Sequence, residues 1–212
     1  MAPRRTKADA MATRNALLDA AERLFEEKGV SRTSLQDIAG AAGATRGAIY
    51  WHFKDKADLF NAMMERATAP LDQLLLDPRP GAPAPDMDRV FEAMLEALHR
   101  IATDASLRRV MQIAIHRVEY VQELDAVQAR HLTMHRQWLA HNRSALERAF
   151  AGRSCPATVP PDMAALGLQV LVEGLLQGWL LDTEAFDLVQ AGRSTIATYL
   201  RGLGLEVKTP AP

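Results

Sequence analysis

The chain has one cysteine, Cys155, among its 212 residues, so no intramolecular disulfide can form. A reducing compartment fits that usage, and a cytoplasmic location is expected. Aromatic residues make up only 6% of the chain, and no run alternates with period two for long, which leaves little material for a sheet. The opening Met1-Ala2-Pro3-Arg4-Arg5-Thr6-Lys7 runs on without the continuous apolar stretch of a secretory signal. One segment, Met163 to Leu181, comes near transmembrane hydropathy. Glu173 at its middle, with Gln169 and Gln177 on either side, favours a buried helix over a bilayer span, and no membrane partner is expected. Nor is there a glycine-rich cofactor loop, so no cofactor is expected.

Net charge is also small, −1, which at first argues against a nucleic-acid partner. Its distribution changes that. Residues 1–56 hold ten Lys/Arg against seven Asp/Glu, while the remainder holds 15 against 19. A mildly basic head on an acidic body hints at a DNA-facing end. Apolar residues at 48% and charged residues at 24% are ordinary for a folded protein. The length allows one large domain or two small ones.

Periodicity predicts an all-α chain of about nine helices. Leu17, Ala21, Leu24 and Phe25 share one helical face, and Gly29 can end that helix in the left-handed conformation. Leu35, Ile38, Ala39 and Ala42 repeat the pattern over a short piece ended by Gly43, and a third piece covers Arg46 to His52. Asp55 is a good N-cap for a fourth helix running to about Leu76. Four prolines between Pro78 and Pro85 make a loop. Helices resume at about Met87–Ala102, Ser106–Arg117 and Val121–Phe150. After a second loop, Gly152 to Pro160, come about Asp162–Leu181 and Ala185–Arg201.

Residues 33–53 carry the functional signal. Thr33 and Gln36 read as a T-x-x-Q capping box, Gly43 suits a tight turn with positive φ, and Thr45 can cap the next helix. Ile38, Ala42 and Ile49 close a small apolar core. Two short helices joined by a glycine turn make a helix-turn-helix, whose second helix can enter a major groove. Arg46 can reach base edges or phosphate; Thr45, Tyr50 and His52 offer hydroxyl and imidazole groups to phosphate, and Lys56 adds a positive charge. An ordinary helical hairpin with solvated polar residues is the alternative, and the combination of cap, turn and polar face favours DNA.

Residues from Arg4 to about Phe60 resemble the DNA-binding head of the TetR family of bacterial transcriptional repressors. Ala44-Thr45-Arg46-Gly47-Ala48-Ile49-Tyr50-Trp51-His52-Phe53-Lys54-Asp55-Lys56 is especially similar to the AcrR/TtgR-like branch, which controls multidrug efflux pumps. Gly174-Leu175-Leu176-Gln177-Gly178-Trp179-Leu180-Leu181 and Phe186-Asp187-Leu188 look like the end of that branch's regulatory domain. Ala44, where the family usually has Val, and Gly40 depart from the pattern without removing a DNA contact. The resemblance implies that Thr33, Thr45, Arg46, Tyr50, His52 and Lys56 hold operator DNA, that Gly47 allows close backbone approach, and that Trp51 is partly structural. It implies a DNA-binding domain over 1–56 and a ligand-binding and dimerisation domain over 57–212. It further implies a homodimeric repressor on a palindromic operator, released by a hydrophobic or aromatic drug-like inducer.

The residues give the body physical content. Gly167, Leu171, Gly174 and Gly178 form a stripe on the eighth helix, and Leu188, Gly192, Thr195, Ile196, Tyr199 and Leu200 a face on the ninth. Either they bury within one chain or they meet a second copy; pairing of two half-sites one helical turn apart, ~34–36 Å or multiples, favours the dimer. Gln169, Glu173 and Gln177 form a second stripe at i, i+4 and i+8, and Glu173 either faces a ligand cavity, or pairs with an arginine such as Arg117, or is solvated. His135, Trp138, Leu139 and Asn142 share a face of the seventh helix; Met94, Leu98, Ile101, Met111 and Ile115 supply apolar wall for an adaptable pocket, or plain core. His131 and His135 have metal-compatible spacing but no third ligand, so no metal is expected; Cys155 reads as an inert loop thiol. An enzyme using His131, His135 and Glu173 lacks a nucleophile–base pair. A DNA-binding regulator without an effector remains the alternative to the ligand-responsive one.

Overall fold

The computed structural model describes residues 7–76, 86–119, 121–152 and 159–206. Among these residues there are nine α-helices and one 3-10 turn, in agreement with the all-α expectation. They are α1 (Lys7–Lys28), α2 (Leu35–Ala41), α3 (Arg46–His52), α4 (Lys56–Leu76), α5 (Met87–Thr103), α6 (Ala105–His116), the 3-10 turn Gln122–Leu124, α7 (Asp125–Ala151), α8 (Pro161–Leu181) and α9 (Leu188–Gly202). The proline-rich loop and Cys155 lie outside the described residues.

Contacts gather the chain into two compact units, one of residues 1–68 and 109–132, the other of 69–108 and 133–212. This division differs from the expected boundary after residue 56, because a stretch from the middle of the chain packs with the head. The core of the first unit joins Leu17, Leu18, Ala21 and Phe25 of α1, Ile38 and Ala39 of α2, Ile49 of α3, and Leu59, Phe60 and Met63 of α4. Val110, Ile113, Leu124 and Val127 complete it. The phenyl rings of Phe25 and Phe60 meet at 5.9 Å.

Short-range chemistry sets the two small helices. The capping box is Ser34 with Asp37, one residue later than the Thr33–Gln36 pair expected: Ser34 Oγ accepts from Asp37 N, and the Asp37 carboxylate accepts from Ser34 N at 3.0 Å. Thr33 is unavailable because its hydroxyl reaches back to Gly29 O at 2.8 Å. After α2 the chain closes a Schellman motif, with Ala44 N donating to Ala39 O and Gly43 N to Gly40 O. Gly43 takes φ +65° there, as the turn requires. Thr45 then caps α3 by accepting from Ala48 N, and Asp55 caps α4 by accepting from Asp58 N.

A buried carboxylate braces the same unit. Glu22 of α1 accepts from Arg66 of α4 at 3.5 Å and from Arg109 of α6 at 3.2 Å. Those guanidiniums also pair with Asp19 and Glu26, at 2.7 and 3.0 Å.

In the second unit α5 and α8 both pack on α9. Leu98 and Leu95 lie against Gly192, and Tyr199 lies against Gly167 while its hydroxyl donates to Ala164 O. Leu188, Gly192, Ile196 and Leu200 are buried within this one chain, so the α9 face proposed for a second copy is already covered. Gly167 is covered too, but a Cβ on Gly174 or Gly178 would meet open space. The open side of α8 carries Met163, Leu166, Val170 and Leu181. α8 is thus long and apolar enough to cross a membrane by length and composition, with 33% of its apolar window buried, rather than being a fully buried helix. α9 begins at Leu188, not Ala185, because the Asp187 carboxylate caps it through Gln190 N.

Candidate nucleic-acid interface

Helix α3 turns Ala48, Ile49 and then Phe53 inward, which leaves Arg46, Gly47, Tyr50 and Trp51 on the opposite face. Trp51 is 73% exposed and Tyr50 51%. Trp51, which the resemblance makes partly structural, instead faces mainly outward, and its indole meets the His52 ring edge-on with the centroids 4.5 Å apart. The Arg46 guanidinium lies 5.8 Å from the centre of the Tyr50 ring, a cation–π contact that steadies a long cationic side chain beside a phenol. Thr45 is exposed at the helix start. His52 is half-buried between Trp51 and Phe53.

Gly47 is informative. A Cβ there would meet only Thr45 Oγ1, at 4.0 Å, so no packing inside the chain demands glycine. A helical glycine costs up to about 1 kcal/mol relative to alanine. An outside body passing close to the helix supplies a reason to keep it.

Two expected contacts are placed differently. Thr33 is 1% exposed, and its hydroxyl donates inward, so a direct phosphate contact does not fit. Lys56 is 5% exposed, with Nζ bonded to Ser31 O, Thr33 O and Glu123. A groove of about 440 Å³ runs past these groups, bordered by Arg32, Ser34, Tyr50 and Lys54.

The effector residues divide. Met111 and Ile115 fall in the first unit, and Met94, Leu98, His135, Trp138, Leu139, Asn142, Glu173 and Gln177 in the second. Met94, Leu98 and Asn142 are buried, while Gln177 is exposed. Glu173 finds its partners within its own unit. Its Oε1 lies 3.2 Å from His135 Nδ1 and accepts from Gln169 Nε2 at 2.9 Å. Gln169 is buried, and its Oε1 and the indole nitrogen of Trp138 have no hydrogen-bond partner. Gln169 is the member of this cluster that sequence reasoning left out of the site. Its i, i+4 spacing puts it on the Glu173 stripe, but only the structure shows that it is the buried member. Among the described residues no group of three or more His, Cys, Asp or Glu gathers to hold a metal.

Comparison with known proteins agrees with this geometry. Residues 17–63 match the model of bacterial regulatory proteins of the tetR family, and residues 86–205 that of the C-terminal region of MAATS-type transcriptional repressors. The chain is 35% identical to the HTH-type transcriptional regulator AcrR of Shigella flexneri, over 93% of this chain and 92% of that one. The structure of NalD, the secondary repressor of the MexAB-OprM multidrug efflux pump in Pseudomonas aeruginosa, superposes with a TM-score of 0.80 at 35% identity, covering 93% and 98% of the two chains. The SmeT–triclosan complex gives 0.79 at 30%, covering 95% and 98%. A head with an outward-facing recognition helix, joined to a body that matches one repressor type over more than half of the chain, places the protein in the tetR family of bacterial regulatory proteins.

Proposed function

We propose that the protein is a homodimeric, ligand-responsive repressor of a multidrug efflux system, which reads a palindromic operator through α3. The observation that carries this reading is the outward face of Arg46, Gly47, Tyr50 and Trp51 on a capped, glycine-hinged helix pair. Arg46 would reach a base edge, Tyr50 and Thr45 phosphate, and His52 would orient Trp51. Thr33 and Lys56 would serve by holding α2 in place.

The open apolar face of α8, with its two unobstructed glycines, suits a second copy of the same helix. A drug-like ligand would be held in the body, where Glu173, His135 and Gln169 supply polar recognition. The triclosan complex of SmeT and the efflux role of NalD support that ligand class and that regulon by analogy. α4 runs from Lys56 to Leu76 with Pro70 inside it, where one backbone hydrogen bond is lost, and it contributes residues to both units, so it is a continuous covalent route from body to head. A ligand releases DNA only if it favours the DNA-incompetent state, and moving 99:1 to 1:99 takes about 5.5 kcal/mol of differential affinity.

Gel shifts on DNA flanking the protein's own gene, with and without a panel of antibiotics, triclosan and plant phenolics, test this. Retention lost on adding a compound supports the reading. Retention indifferent to every compound reduces the protein to a regulator without an effector, and no retention removes the DNA role.

A further inference from the structure

The Lys56 ammonium donates to two backbone carbonyls and pairs with one carboxylate. Ser31 O, Thr33 O and Glu123 Oε2 each lie 3.1 Å from Nζ. The first two belong to the turn between α1 and α2; the third belongs to the 3-10 turn between α6 and α7. With two donors on carbonyls, its charge facing Glu123 and 5% exposure, this lysine is turned away from an outside phosphate. The Glu123 side chain is 57% exposed, so a negative charge also stands beside the ammonium.

The α1–α2 turn is tied twice more, to the residues that directly follow α6. Val30 N donates to Arg117 O at 3.2 Å, and the Ser31 hydroxyl donates to Glu119 Oε2 at 2.9 Å. Ser34, the cap of α2, follows directly on the pinned Thr33. Breaking the pin leaves two carbonyls short of a partner and releases the turn that starts the helix-turn-helix.

We infer that the connector after α6, through Arg117, Glu119 and Glu123, is a positioning element of the DNA-reading head, with Glu123 acting through Lys56 to fix the α1–α2 turn. This inference rests on the DNA-binding reading. Glu123 touches no DNA in it, and Lys56 neutralises no phosphate.

The test uses the full chain and a duplex from upstream of its own gene. Wild type, Glu123→Gln, Glu123→Asp and Lys56→Met are compared for affinity across a KCl series and for amide exchange over residues 30–38. Glu123→Gln is expected to weaken binding about tenfold, the size of coupling that packed networks carry, and to leave the salt slope unchanged. Faster exchange in the α1–α2 turn accompanies it, and Glu123→Asp recovers most of both. Lys56→Met, where it folds, keeps the wild-type slope. A slope flattened by about one unit would put the ammonium on a phosphate and overturn the inference. So would equal or tighter binding by Glu123→Gln with wild-type exchange. If the wild type itself retains no duplex, the DNA reading fails, and the exchange comparison alone decides whether the pin holds the turn.

Discussion

Replacing Gly167 by alanine should cost about 2 kcal/mol, and the structure says where the cost arises. The new Cβ would collide with the Tyr199 hydroxyl and lie 2.9 Å from Cζ and 3.3 Å from Cε2 of that ring. Overpacking of this kind costs about 1–3 kcal/mol. The ring must retreat, which breaks the 2.9 Å hydrogen bond from its hydroxyl to Ala164 O; that adds about 1 kcal/mol. Alanine returns about 0.5–1 kcal/mol of helix propensity. For a chain of this size the net loss lowers the melting temperature by roughly 4–8 °C. The clash is specific to one oxygen, so Tyr199→Phe supplies the control. Alone it loses the hydrogen bond, about 1 kcal/mol. Combined with Gly167→Ala it removes the nearest obstructing atom, and the double variant should be more stable than the sum of the singles allows, by about 1–2 kcal/mol. Thermal unfolding followed by circular dichroism reads all four proteins. Strict additivity, or a Gly167→Ala protein that melts with the wild type, would show that the Tyr199 hydroxyl does not crowd position 167.

Gly47→Ala should raise or preserve the melting temperature while weakening operator binding at least several-fold, because the space above that glycine is open within the chain; equal binding would show that nothing passes close to it. Arg46→Ala should cost about 1–3 kcal/mol of operator affinity if the guanidinium contacts a base edge, with the loss confined to particular base pairs in a substitution scan. Hydrogen bonds from the Ser34 hydroxyl and amide hold the Asp37 carboxyl below its ordinary 3.8. That contribution is complete above the ordinary value and is lost as pH falls through it and below, so Asp37→Asn should flatten the acid limb of a melting-temperature profile. Glu22→Gln should destabilise by about 1 kcal/mol, a charged hydrogen bond's roughly 1.5–3 kcal/mol discounted for the partly exposed guanidiniums, and a urea midpoint equal to wild type would remove the brace from the account.

Sequence resolved the head well because its determinants are short-range. Gly43 and its neighbours specify a turn within six residues, and Thr45 and Asp55 cap helices that start one residue later. It misplaced the first cap by one residue because Thr33 and Ser34 both carry a hydroxyl, and only the reach of Thr33 back to Gly29 separates them. Lys56 looked like a surface cation for a related reason. Two of its acceptors are backbone carbonyls, which no side-chain pattern displays, and the third lies far along the chain at Glu123. Trp51 was the opposite case. An indole reads as core, yet Ile49 and Phe53 on either side already fill the inward positions, so residue 51 points away.

The body was less legible because a helix with apolar residues on several sides does not declare which side meets its own chain. α9 answers by exclusion. Its apolar face is taken up by α5 and α8, and Gln190, Ser194, Thr198 and Arg201 occupy the exposed positions that remain. α8 keeps an apolar face open after packing on α9, and there the small residues change meaning along one helix. Gly167 is small because Tyr199 of the same chain presses on it, whereas Gly174 and Gly178 have nothing pressing on them. A helical glycine with neither a positive φ nor a neighbour costs stability for no gain inside the chain. Gly47 on α3 stands in the same position. Gly40 on α2 and Gly202 at the end of α9 are equally unobstructed, so open space alone does not mark an interface: Gly47 is singled out by the exposed Tyr50 and Trp51 beside it, and Gly174 and Gly178 by the exposed apolar side of α8 that they continue.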